Sequence, residues 1–306
     1  MLTFFTTAKP FRGHDEVIQR NALKSWKLLN PEVEVILFGE DERAAEVCAE
    51  LGLVHHPHVE RHESGRNRLD YMFQRASQIA RHEHLCFCNC DIMLMEDFWR
   101  GFQKVRAWRE RFLLVARRWD TDITEPIDFE EARWAEGVRK LALTKGFQQN
   151  EFWIDLFLFR RGMYLDMPPL IVGHSYWDNW MIWKALSQRV AVLDGTGFVV
   201  PVHQNHRYNP AFGRSKGDSK DALSLMNLQL AGGRKCLRHI KSSTHYMTPT
   251  GDIRLRLFRR KGEVPKPLRE LNRFWTYDVW LPLWHFALGI TRPLRSVLGL
   301  RSKKPV

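Results

Sequence analysis

The chain has 306 residues, 44% hydrophobic and 27% charged, with no internal repeat and no low-complexity run; this is globular composition, long enough for one large domain or two small ones, and it excludes a solenoid or a disordered polymer. The net charge of +12 is uneven: thirteen Lys/Arg against three Asp/Glu from Arg254 to Val306 give +10, which leaves about +2 for residues 1–253, so the basicity belongs to a C-terminal appendage. The start "MLTFFTTAKPF" lacks a basic segment followed by an apolar run, and no apolar run reaches the roughly 18 residues of a membrane span, so neither an export signal nor a transmembrane helix is expected.

In chain order, Leu2–Thr7 is apolar and reads as a strand. His14–Leu29 has helical spacing, with Val17, Ile18, Ala22, Leu23, Trp26 and Leu29 on one face and Pro31 beyond its end. Glu34–Gly39 reads as a buried strand, Glu42–Leu51 as a short helix closed by Gly52, and Leu53–His55 as a third strand. Asn67–Arg81 is helical and Leu85–Asp91 is a strand. This alternation predicts a mostly parallel sheet with helices on both faces. Phe112–Arg117, Phe152–Phe159, Arg189–Leu193 and Phe198–Val202 read as later strands, and Ser175–Ser187 as a helix.

The segment "LCFCNCDIML" invites a thiolate metal cluster or a redox reading. Side chains alternate along a strand, so Cys86, Cys88 and Cys90 share one face, with same-face neighbours about 6.6 Å apart. Two thiolates on one zinc ion sit roughly 3.8 Å apart, so a straight strand cannot close such a site. No Cys-x-x-Cys is present, and with no export signal the five cysteines read as reduced thiols of a cytosolic protein. The three read as packing residues. Asn89 and Asp91 fall on the other face, where the apolar strand ends. Ligands of open α/β sheets bind beyond such carboxyl ends, and an acidic residue there suits a hard divalent cation carrying phosphates.

"FFTTAKPF", "IQRNALKSWKLLNPEVEVILFG", "ESGRNRLDYMFQRA" and "LCFCNCDIML", in that order, resemble a GT-A glycosyltransferase domain over about residues 1–210. The resemblance implies a Rossmann-like α/β fold with a mixed, mostly parallel sheet and a catalytic domain over 1–250; charge and composition add a basic, helical, aromatic-rich tail over 251–306. It implies a nucleoside-diphosphate sugar as donor and Mn²⁺ or Mg²⁺ on its diphosphate. The family's Asp-x-Asp motif is here Asn89-Cys90-Asp91, so Asp91 would be the metal ligand and Asn89 would touch ribose or sugar. Thr6, Thr7 and Lys9 would seat the nucleotide. Gly65 sits where the family has its glycine-containing loop, Arg66 or Arg68 would reach the diphosphate, and Asp70 would bond a hydroxyl. In "GHSYWDNWMIW", Asp178 matches the family's catalytic base, although Ser175-x-x-Asp178 also has the form of a helix-capping box. Asp155, a carboxylate inside the apolar run "FWIDLFLF", is the rival base. Trp177 and Trp180 would be a sugar platform or core. In "VVPVHQNHRYNP", His203 would complete the metal shell, with His206 as alternate. Arg207, Arg214 and Lys216 would fold over the diphosphate.

The tail segment 273–300 mixes aromatic, leucine and arginine residues, and its apolar part, Val279–Ile290, is interrupted by Pro282. That composition suits an anionic membrane surface, or a helix packed on the catalytic domain. The expected location is cytoplasmic, peripheral on the inner face of the membrane, with a glycan or lipid-linked acceptor in surface polysaccharide assembly. No nucleic-acid-binding motif accompanies the charge, so nucleic acid is the weaker partner. A sugar-nucleotide nucleotidyltransferase and a non-catalytic nucleotide- or carbohydrate-binding protein are the alternatives.

Overall fold

The computed structural model describes residues 1–206 and 221–256. Residues Met1–Arg256 form one compact unit. Within it, β1 (Leu2–Thr7), β2 (Glu34–Phe38), β3 (Val54–His56) and β4 (His84–Cys88) alternate with α1 (Gly13–Lys27), α2 (Ala44–Leu51) and α3 (Leu69–Ile79). Next come β5 (Ile92–Met93), α4 (Glu96–Trp108), β6 (Phe112–Arg117), β7 (Trp119–Thr121), α5 (Trp134–Lys145), β8 (Phe147–Gln148) and β9 (Ile154–Arg160). Among the described residues the remainder is α6 (Trp177–Ser187), β10 (Ala191–Asp194), β11 (Val202–Gln204), α7 (Ala222–Leu230), β12 (His245–Met247) and β13 (Ile253–Leu255).

The main sheet has nine strands in the order β13-β12-β10-β6-β9-β4-β1-β2-β3. All its pairings are parallel except those of β9 with β4 and β6, and of β13 with β12. Period-two alternation sends successive side chains into two cores. Phe5 and Phe87 join Phe73, Phe159 and Trp177 on the face of α3 and α6. Phe4, Cys86 and Cys88 join Trp26 and Phe98 on the face of α1 and α4. The fold is therefore the expected mixed, mostly parallel α/β sheet flanked by helices.

A second, four-stranded sheet, β5-β11-β7-β8, was not apparent in the sequence. Its strands are two or three residues long, too short for any periodicity to register. It packs a small core of Met93, Met95, Val200 and Val202 with Val138 and Ala142 of α5.

Several boundaries differ from expectation. β4 stops at Cys88, and Asn89–Asp91 turn away before β5 begins. Cys90 nonetheless joins Cys48, Cys86 and Cys88 in the same core, and all five cysteines are free and buried. Burial pushes the thiols of Cys86, Cys88 and Cys90 far up and that of Cys48 up to about 12, so these are packing groups. The strand expected at Phe198–Val202 begins only at Val202. Phe198 and Val199 donate their N–H groups to Gly195 in a turn, and Pro201 has no N–H to give. Ser175 does not cap α6. The cap position is Tyr176, in the left-handed region at φ 85°, with no side-chain cap. β13 lies beyond residue 250 and extends the main sheet. The basic tail from 257 onward, including the aromatic stretch 273–300, lies outside the described residues. No described helix is long and apolar enough to cross a membrane.

Trp26 ties the layers together. It stacks on Phe4 at 5.0 Å between ring centroids and donates its indole N–H to the Ile92 carbonyl over 2.8 Å. Trp26→Ala removes a large buried side chain and leaves a carbonyl unsatisfied, so it should cost about 3–5 kcal/mol in urea unfolding; a loss under about 1 kcal/mol would contradict this role.

Candidate functional site

The carboxyl end of β4 carries Asp91, three residues past the strand. The small sheet supplies its partners. His203 in the centre of β11 lies opposite Ile92 of β5 on one side and Asp120 of β7 on the other. Gln204 locks this register: its backbone N–H donates to the Asp91 carbonyl at 3.2 Å, and its buried side chain donates to the Ile18 carbonyl at 2.7 Å and accepts from Asn21 at 2.9 Å. The chain beyond β11 is held by His14, whose Nε2 lies 2.9 Å from the Asn205 carbonyl oxygen.

Asp91 Oδ2 thus lies 3.1 Å from His206 Nε2 and 3.6 Å from His203 Nε2. The three ligand atoms fall within 4.8 Å of one another, and among the described residues this is the one cluster of His, Cys, Asp or Glu that closes so tightly. Asp91 Oδ1 is buried with no hydrogen-bond partner. An orphaned carboxylate oxygen beside two imidazole nitrogens is a donor set that fits a divalent cation. Burial works to raise Asp91, but His203 and His206 outweigh it and hold its carboxyl well below the ordinary range. Burial likewise works to lower His203, yet Asp91 and Asp120 prevail and raise it. His203 Nδ1 lies 3.2 Å from Asp120 Oδ1, so a carboxylate backs the imidazole on the side away from Asp91.

A buried polar chain runs on from there. Asp120 accepts from Arg118 Nε at 2.9 Å and from Gln149 Nε2 at 2.7 Å. Arg118, only 5% exposed, also donates Nη1 to Asp155 Oδ2 at 2.6 Å, and its guanidinium lies 5.0 Å from the Trp153 ring centre. The other oxygen of Asp155 accepts from the Asn89 side chain. One arginine therefore joins the metal-type cluster to Asp155. At the start of α6 the Asp178 carboxyl is pushed up to about 7. Burial is the main cause, opposed by backbone N–H groups at the helix start and reinforced by the Asp155 charge.

The sequence candidates fall into groups. Asp91, His203 and His206 meet, and Lys9 joins them: its Nζ lies 3.3 Å from His206 Nδ1 and pairs with Asp15 at 2.9 Å. Thr7, at the end of β1, accepts from Asn67 at 2.6 Å, while Thr6 is fully buried and bonds the Thr7 carbonyl. Gly65 (φ 78°) occupies a tight turn with His62 donating to the Arg66 carbonyl, a backbone shape that glycine takes without strain. Arg68 and Asp70 are bound to each other, and Arg68 also to Glu60, at the loop that leads into α3. Asn89 is committed to Asp155. Both oxygens of Asp155 are occupied, one by Arg118 and the other by Asn89. Trp177 and Trp180 are core residues, 5% and 3% exposed, and form no sugar platform. Arg207, Arg214 and Lys216 lie outside the described residues.

Asp120, Arg118 and Gln149 were missed by sequence reading. The one signal was "RRWDTD" at the end of β6, where Arg118 and Asp120 stand two residues apart at the entry to β7. Their partners come from β8 and β9, and no local pattern announces them.

No family model matches the sequence, and no curated protein matches it. Among solved structures, the chain is similar to Mycobacterium tuberculosis glucosyl-3-phosphoglycerate synthase, with TM-score 0.46, 11% identity, and coverage of 76% of this chain and 81% of that one. That enzyme has also been solved with Mn²⁺, UDP-glucose and phosphoglyceric acid; against this structure the TM-score is 0.45 at 11% identity, covering 76% of this chain and 80% of that chain. Staphylococcus aureus TarS 1–349 in complex with UDP-GlcNAc gives TM-score 0.43 at 12% identity, over 67% of this chain and 59% of that one.

A carboxyl whose pKa is higher folded than unfolded disfavours the folded state once it ionises. Asp178 should therefore withdraw stability as pH rises from about 4 towards 7. Asp178→Asn should melt at a higher temperature than the parent at pH 8, with the gap narrowing at pH 5. A gap independent of pH in calorimetry would contradict the raised pKa.

Proposed function

We propose that the chain is a GT-A glycosyltransferase that moves a sugar from a nucleoside-diphosphate donor to an acceptor hydroxyl. The observation that carries this reading is the Asp91–His203–His206 cluster beyond the carboxyl end of β4, where open α/β sheets bind their ligands. The order of motifs along the chain supports it independently.

Asp91, His203 and His206 would hold the divalent cation, with Asp120 fixing the His203 ring. When bound, that cation supplies Lewis-acid stabilisation of the charge on a departing nucleoside diphosphate. Two imidazoles favour Mn²⁺ over Mg²⁺, which prefers all-oxygen shells. Lys9 stands at the rim of the cluster and adds positive charge for phosphate oxygens. Thr7 and the Ser64–Arg66 turn, held together through Asn67, form the nucleotide side. Asp178 takes the proton of the acceptor hydroxyl, since a carboxyl poised near 7 is matched to general-base work at neutral pH. Arg118 and Asn89 hold Asp155 in place.

The acceptor is a glycan or lipid-linked sugar of surface polysaccharide assembly, and the basic tail would bring the enzyme to the inner face of the cytoplasmic membrane. A nucleotidyltransferase would instead release pyrophosphate from a sugar phosphate and a nucleoside triphosphate. A binding protein would keep its ligand affinity in Asp178→Asn and turn over nothing. One carboxylate with two imidazoles is also the donor set of non-haem iron sites. A metal screen that includes Fe²⁺ addresses this: tightest binding of Fe²⁺ with no nucleotide effect would move the reading to that class.

Two outcomes test the proposal. In thermal-shift titrations with uridine, guanosine and adenosine diphosphates, one nucleotide should raise Tm strongly with Mn²⁺ and weakly with Mg²⁺, and Asp91→Asn and His206→Gln should abolish the metal-dependent part. No metal-dependent stabilisation by any of them sinks the reading. Sugar transfer should fall tenfold per pH unit below about 7, and Asp178→Asn should lower it about 10²–10⁴-fold at pH 8 with the Mn²⁺ affinity unchanged.

A further inference from the structure

A cleft of about 440 Å³ opens beyond the carboxyl ends of β6, β10 and β12, and none of Asp91, His203 and His206 lines it. Its size lies within the range of small-molecule sites, about 300–1,000 Å³. Arg117, the last residue of β6, and Arg256 both line it, with Asp194, Gln148 and Thr196. Asp194 is the one acid of the lining, and it is already engaged: Oδ2 accepts from Arg256 Nη2 at 2.6 Å, and Oδ1 accepts from the Thr196 backbone at 3.0 Å. Arg256 lies over the Tyr246 ring at 5.5 Å and keeps its Nε buried with no hydrogen-bond partner. Among the described residues no carboxylate pairs with the Arg117 guanidinium; the backbone of Arg117 is held by the β6–β9 ladder opposite Ile154 and by its N–H to Thr196 Oγ1 at 3.0 Å. The lining therefore carries one uncompensated positive charge, a planar guanidinium fork with free donors, and amide and hydroxyl groups beside it.

We propose that this cleft is a binding site for an oxyanion, a phosphate or carboxylate borne by a small ligand, with Arg117 as its bidentate contact. The site is distinct from the cation cluster, and it stands whether or not the glycosyltransferase reading does. Strand alternation explains how one segment serves both. Arg118 and Gln149 point to the buried chain behind His203, while their neighbours Arg117 and Gln148 line the cleft.

Isothermal titration of the full chain with inorganic phosphate, glycerol 3-phosphate and succinate, in EDTA and at constant ionic strength, tests the proposal. At least one of the three should bind saturably, and the affinity should fall at least tenfold in R117Q. That variant breaks no internal ion pair among the described residues, so it should fold, with Tm within a few degrees of the parent. Phosphate binding without succinate binding identifies a phosphate site, and the reverse identifies a carboxylate site; either supports the proposal. Asp91→Asn should bind the same ligand with unchanged affinity, which separates this site from the cation cluster. No saturable binding of any of the three, or equal affinity in the parent and R117Q, overturns it.

Discussion

The register of a four-stranded sheet with strands only two or three residues long sets the geometry of the Asp91–His203–His206 cluster. Setting His203 against Ile92 on one flank and Asp120 on the other places one imidazole between two carboxylates, Asp91 in front and Asp120 behind. A slip of one residue would turn His203 to the other face and bring Val202 or Gln204 in its stead. So short a sheet cannot hold its own register. It is fixed from outside, by Gln204 and Asn21 bonding across to α1, by Trp26 bonding the Ile92 carbonyl, and by the apolar contacts beneath α5.

Arg118 extends the same constraint. A buried guanidinium is costly unless its charge is matched, and here two carboxylates match it. Such a group adds little to net stability, but it leaves its partners almost no freedom of position. Asp120 is thereby aimed at His203, and Asp155 is held in place; burial and the Asp155 charge both oppose the charge of Asp178. One network thus holds one carboxyl, Asp91, well below the ordinary range and borders another, Asp178 at the start of α6, that is pushed up to about 7. Their environments push the two carboxyls in opposite directions, and on the proposed reading these would be the metal ligand and the base.

Much of the main sheet was legible in the sequence because its strands are long enough for apolar runs to register and its helices for a 3.6-residue period. Leu2–Thr7 and Phe112–Arg117 were placed to the residue. The cysteine strand read correctly in its faces and wrongly in its length, since nothing in "NCD" marks where pairing ends. Asp91 was singled out by its place where an apolar strand ends, and His203 and His206 by the family resemblance; the fold brings the three together. Arg118, Asp120 and Gln149 were not singled out, because their network arises only when β7, β8 and β9 converge. Asp155 was singled out because a carboxylate in an apolar run needs a partner; the partner, Arg118, lies 37 residues away. Arg68 and Asp70, which the resemblance offered as donor contacts, form an ion pair with each other in the fold.

The central claim is that Asp91, His203 and His206 together hold a divalent cation that also meets a nucleoside diphosphate. Pulsed electron paramagnetic resonance of bound Mn²⁺ tests it directly. Nitrogen couplings from two imidazoles should be seen, falling to one in His206→Gln, and a phosphorus coupling should appear when the stabilising nucleoside diphosphate is added. Bound Mn²⁺ with no imidazole nitrogen coupling, or with the same nitrogen couplings in His206→Gln, would contradict the account.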